Sequence, residues 1–130
     1  LSAGKEITDY RVLSDAAGNP LEGGKQYKLI LPSNIPEGIM WSIIVYDSQT
    51  NLMISTGQLW PSIYKSCKGL EVNTDGSVDA WFGPKAFKGK EYNWIQTIPG
   101  KSWYMILRFY NPLENWIQGL WSPCNIESID

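Results

Sequence analysis

Histidine is absent from this chain of 130 residues, and that absence narrows the chemistry more than any residue present. Ser-His-Asp and Cys-His triads, His-ligated zinc or iron, and imidazole acid–base catalysis are all excluded. Cysteine is scarce too: Cys67 and Cys124 stand far apart, too few for a disulfide framework or a Cys-rich zinc site. The bland expectation is two unpaired, partly buried thiols. No apolar run approaches the roughly 20 residues of a membrane helix, so no membrane span is expected. Charge is nearly balanced, 11 basic against 13 acidic residues for a net −2. Without a broad positive field, nucleic acid is not an expected partner. No cofactor and no metal site are expected either.

What is present is a chain for one domain, 43% hydrophobic and 18% charged, with seven tryptophans and seven tyrosines. Lys25–Pro32, Ile39–Asp47, Ser77–Phe82 and Lys101–Tyr110 set their apolar residues on faces that alternate with the period of a strand. Ile39, Trp41, Ile43 and Val45 share one face, and Trp103, Met105, Leu107 and Phe109 share another. Apolar groups on both faces of Ile39–Asp47 predict a strand in the interior of a sheet. Shorter strands are expected at Tyr10–Leu13, Leu52–Ser55 and Tyr92–Thr97, while Gln58–Lys68 reads either as irregular or as a short strand around Ile63–Tyr64. Asn73-Thr74-Asp75-Gly76 reads as a tight turn joining Leu70–Val72 to Ser77–Phe82 in a hairpin.

Asn111 as a cap and Pro112 at the first helical position predict one short helix near Pro112–Gln118. About eight short strands between Gly/Pro turns predict an all-β fold, an antiparallel sandwich of jelly-roll type.

The segments WSIIVYD at Trp41–Asp47, NTDGS at Asn73–Ser77, Gly83-Pro84-Lys85, GKEYNWIQ at Gly89–Gln96, PGKSW at Pro99–Trp103 and LRFYNP at Leu107–Pro112 occur in order. With Trp121-Ser122-Pro123 after them, the chain resembles the family known as domain of unknown function 1214, from about Tyr10 to Ile126. Cys124-Asn125 departs from that family's usual ending. The resemblance implies a jelly-roll sandwich forming the C-terminal part of a longer bacterial protein, commonly preceded by domain of unknown function 1254. It also implies export in many members, and it carries over no catalytic residues. A chain opening on Leu rather than Met fits processing or excision from a longer one.

For a site, the loop around Lys90, Glu91, Asn93 and Trp94 is the first choice as a ligand-binding candidate. It gathers a cation, a carboxylate, an amide and an indole beside a glycine that lets a ligand approach the backbone. The plainer reading is a solvated loop with weak ion pairing. Trp60, Trp81, Trp94 and Trp116 are candidates for stacking on sugar rings, against the plainer reading that they pack. Asn73–Gly76 has too few oxygens for a calcium loop. Glu37, Asp47, Asp79 and Glu91 are available for carboxylate chemistry, but no spacing pairs two of them.

Three functions follow. The preferred one is a non-catalytic structural or ligand-binding domain of a larger protein. The second is a module binding a glycan or small molecule through loop aromatics. The third is half of an inter-domain active site using Glu91 or Tyr92. Expected partners are an N-terminal domain of the same protein, further copies in a homo-oligomer, and a glycan or small-molecule ligand.

Overall fold

A computed structural model describes residues 7–58, 60–110 and 126–129. Eight strands are found there: β1 Ile7–Val12, β2 Tyr27–Leu31, β3 Met40–Asp47, β4 Ser62–Tyr64, β5 Val78–Gly83, β6 Trp94–Gln96, β7 Trp103–Tyr110 and β8 Glu127–Ser128. They form two four-stranded sheets, ordered β1-β7-β3-β4 and β6-β5-β2-β8. Every pairing among them is antiparallel except β5 with β6, which run parallel. The fold is therefore all-β and two-layered. The helix expected near Pro112–Gln118, Trp116, Trp121 and Cys124 lie outside the described residues.

The period-2 pattern explains both layers. Trp41, Ile43 and Val45 of β3 and Trp103, Met105, Leu107 and Phe109 of β7 point inward and are buried. From the other sheet they meet Tyr27, Leu29 and Leu31 of β2 with Val78, Ala80 and Phe82 of β5. Trp103, the first residue of β7, sits between the two layers. Its ring lies 5.6 Å edge-on from Tyr27 and 5.0 Å from a stacked Phe82. Among the described residues its buried indole N–H has no hydrogen-bond partner, a cost of about 1–3 kcal/mol. Truncating such a ring costs about 3–5 kcal/mol, so packing prevails.

Two expectations change. Leu52–Ser55 is not a strand; it makes one bridge, Tyr46 to Met53, off the end of β3. Leu70–Val72 is not a hairpin arm either. The Asn73–Gly76 turn forms, with Gly76 at φ 91° and Asn73 N–H bonding the Ser77 carbonyl at 2.8 Å. Yet β5 has β2 on one edge and β6 on the other. β6 reaches only Trp81–Gly83, and beside the first half of β5 the 70–72 segment is bridged to the Asp79 carbonyl by the Asn93 side chain instead of pairing with the strand.

The sides of the sandwich are closed by loops. At one, the Gln58 side chain donates to the Trp94 carbonyl at 3.0 Å and accepts from Gln96 N–H at 2.7 Å. That amide imitates a neighbouring strand along the open edge of β6 and suppresses edge pairing. At the other, Ala16 N–H bonds the Ile126 carbonyl at 2.7 Å.

Candidate functional site

The structure separates the four residues that sequence chemistry groups together. Lys90 is half-buried and Glu91 is exposed at the start of a single 3-10 turn, Glu91–Asn93. The Glu91 carboxylate accepts weakly from Gly89 N–H at 3.4 Å. Asn93 is 3% exposed. Its side-chain oxygen accepts from Glu71 N–H at 2.9 Å, and its amide donates to the Glu71 carbonyl at 3.0 Å and the Asp79 carbonyl at 2.9 Å. The Asn93 side chain thus clamps the 70–72 segment to β5. Trp94 donates its indole N–H to the Gly83 carbonyl at 2.9 Å. Two of the four residues therefore commit their polar side-chain atoms to the protein's own backbone. The Tyr92 ring lies against Gly69, where an added Cβ would fall 2.4 Å from it.

The tryptophans divide. Trp41 and Trp103 are buried, Trp81 and Trp94 are half-buried, and Trp60 is exposed. Trp81 and Trp94 stand side by side in the β5–β6 register on an outward face. Trp81 is covered by Phe87 at 4.8 Å and by the Lys28 ammonium at 5.0 Å.

The candidate carboxylates each have different partners. Asp47 accepts from Gln49 N–H at 2.8 Å and meets Lys101 at 3.4 Å, and the backbone bond from Gln49 holds its pKa below the ordinary carboxylate value. Asp79 lies on the outward face of β5, half-buried, and sits 3.8 Å from Lys28. Glu37 sits 3.8 Å from Lys65. In the Asn73–Gly76 turn, Asp75 accepts from the Ser77 hydroxyl at 2.6 Å, which depresses its pKa. Among the described residues no three His, Cys, Asp or Glu side chains converge as a metal site. Cys67 is a free thiol, half-buried against the core.

The concavity that residue chemistry missed is at the end of the sandwich where β2 finishes and β3 and β5 begin. It encloses about 350 Å³, the lower end of the range for small-molecule sites. Leu31, Trp41 and Val78 form its floor, Leu70 a wall, and Lys65 and Glu37 its rim. The Lys65 ammonium donates to the carbonyl of Glu37 and, at 3.4 Å, to that of Ile39. Beside it, Ser66 holds φ 70°, an uncommon conformation for a residue with a side chain. The two rim charges lie 28 positions apart in sequence, so no motif announces them.

Two solved structures share the fold. One is the VPA0106 protein from Vibrio parahaemolyticus, at 20% identity and a TM-score of 0.79 over 96% of this chain. The other is a putative uncharacterized protein from Burkholderia cenocepacia, at 19% identity and 0.55 over 97%. This chain spans about a third of each, 31% and 29% of their lengths. No curated protein matches it. The family match extends from residue 6 to residue 114, and the chain belongs to the family described as Protein of unknown function (DUF1214).

Proposed function

We propose that this chain is a structural domain of a larger bacterial protein, its C-terminal part, and that the outer face of the β1-β7-β3-β4 sheet is where the rest of that protein packs. The composition of that face carries the reading. Cross-strand register aligns Ile7, Tyr110 and Met40 in one row, Ile106 with Ile44 in another, and Tyr104, Tyr46 and Met53 in a third. Tyr46 and Tyr104 stack at 5.3 Å, and Arg11 lies 5.1 Å over the Tyr104 ring. Ile7, Met40, Met53 and Tyr64 are all exposed. One row between them is polar, with Asp9, Arg108 and Ser42 leading to Tyr64, so the face is mixed, and its aromatic, Met and Arg content is that of an interaction surface. The greater length of both structural relatives supports a partner within the same polypeptide, for which a domain of the unknown-function 1254 type is the candidate.

The competing readings draw less support. Of the described tryptophans, only Trp60 is exposed, so a stacking platform has little to build on. The groove has one carboxylate, Glu37, in its lining, where paired acids would favour an inter-domain active site.

The three methionines test the proposal. Met40 and Met53 lie on the face at 43% and 46% exposure, while Met105 is fully buried and serves as an internal control. Peroxide oxidation followed by mass spectrometry should modify Met40 and Met53 quickly in the isolated chain. In the product of the whole reading frame both should slow at least fivefold. Equal rates in the two proteins would refute the docking face. Slow oxidation in an isolated chain that sediments as a dimer would assign the face to a second copy instead.

A further inference from the structure

We infer that the groove at the β2–β3 end of the sandwich is a binding site for a short amphipathic carboxylate, its tail between Leu70 and Val72 above the Trp41 floor and its head on Lys65. The inference is independent of the docking face, which lies on the opposite side of the sheet that carries Trp41.

The floor is made by residues that belong to the core. Leu31 and Val78 are direct cross-strand partners on β2 and β5, and Trp41 faces them from the inner side of β3. The lining is therefore a continuation of the hydrophobic interior left open at one end. Leu31, Trp41 and Val78 keep only 1%, 4% and 6% of their surface open, so the apolar area an added tail would remove from water, at roughly 25 cal/mol per Å², belongs mainly to the walls, Leu70 and the exposed Val72. At the ~30 Å³ that one water occupies, the cavity holds roughly a dozen non-hydrogen atoms. This limits the ligand to a short chain or a single ring.

The rim selects the charge of the head group. The Lys65 ammonium has three protons. Two are engaged by the carbonyls of Glu37 and Ile39, which pin its position and leave its side chain only 22% exposed. The third has the Glu37 carboxylate as its nearest anion, at 3.8 Å, beyond hydrogen-bond reach. Glu37 itself is fully exposed, so its carboxylate is free to swing into solvent. The groove thus pairs a fixed cation having one proton to give with an anion that is easily displaced. An incoming carboxylate gains a charge-assisted hydrogen bond at little cost, whereas an incoming amine meets the pinned ammonium and is repelled.

Binding of octanoate, 1-octanol and octylamine to the 130-residue chain, followed by calorimetry and by ¹⁵N amide shifts, separates the possibilities. Octanoate should bind saturably, moving the Trp41, Leu70 and Val78 signals, and about tenfold more tightly than octanol, the size of one hydrogen bond to a charged group. Octylamine should bind no better than octanol. Glu37→Gln, a change at an exposed position that leaves the carbonyl clamp intact, should tighten octanoate about threefold, as loss of a weak competing ion pair does. No saturable binding, equal affinity for octanoate and octanol, or shifts confined to other surfaces would overturn the inference. Weaker octanoate binding in the Glu37→Gln protein would overturn it as well, by showing that the rim recognises its ligand through the carboxylate.

Discussion

Replacing Asn93 with alanine removes three hydrogen bonds from a side chain that is 3% exposed. Each contributes about 1 kcal/mol net, so about 3 kcal/mol is at stake. The exposed Glu71 backbone regains water when released, which lowers the loss; the void left behind raises it. We expect a loss of about 2–4 kcal/mol. At ~2.1 cal/mol/K per residue over the whole chain, 3 kcal/mol lowers Tm by about 10 °C. Calorimetry measures it directly, and Glu71 amide exchange should accelerate in parallel.

Asn93→Asp sharpens the same prediction. It keeps the shape but sets a carboxylate against the carbonyls of Glu71 and Asp79. That contact and burial both favour the protonated acid, so its folded pKa lies above the unfolded value near 3.9. A raised pKa gives stability that is present at low pH and lost as pH rises. The Asn93→Asp protein should therefore fall further below the parent at pH 7 than at pH 4. Lys90→Ala and Glu91→Ala, at the neighbouring surface, should stay within about 0.5 kcal/mol. A loss below about 0.5 kcal/mol for Asn93→Ala, or a pH-independent deficit for Asn93→Asp, would refute the clamp.

Other substitutions probe the frame. Gly23 donates to the Lys101 carbonyl at 2.9 Å and accepts from the Thr97 hydroxyl at 2.8 Å, and an added Cβ would lie 1.8 Å from the Ile98 carbonyl oxygen. Gly23→Ala must displace backbone and should cost about 3 kcal/mol or more, read as a urea midpoint shift or failure to fold. Gln58→Ala bares the edge of β6 and should cost about 1–3 kcal/mol and raise the aggregation rate; unchanged light scattering and midpoint would count against edge capping. Arg108 grips Asp9 through two bonds of 2.7 and 2.8 Å, and that hydrogen bonding holds the Asp9 pKa below its ordinary value. The resulting stability is present above about pH 4 and lost as pH falls through the depressed folded pKa. Both side chains are about a third or more open to water, which limits the pair to about 0.5 kcal/mol, and Asp9→Asn should abolish that share of the acid sensitivity.

The legible part of this molecule is local. Trp41 to Val45 and Trp103 to Phe109 alternate so regularly that the buried face of each strand is dictated before any partner is known, because successive side chains of an extended backbone point to opposite sides. Asp75 and Gly76 specify their turn through a carboxylate that caps Ser77 and a left-handed glycine. Asn93 shows where such reading stops. Next to Lys90, Glu91 and Trp94 it reads as one member of a polar cluster; its partners, Glu71 and Asp79, lie 22 and 14 positions away.

Composition and periodicity by themselves determined an all-β chain with inward-facing rows of Ile, Leu and Trp and with no imidazole chemistry. Only the tertiary structure decided which strands became neighbours: β5 took β2 and β6 and refused the adjacent 70–72 segment. It also decided that Lys65 would meet Glu37 over an opening in the core. The reason is that side-chain alternation is a property of the backbone at each residue, whereas edges, cavities and ion pairs exist only once distant segments have been brought together.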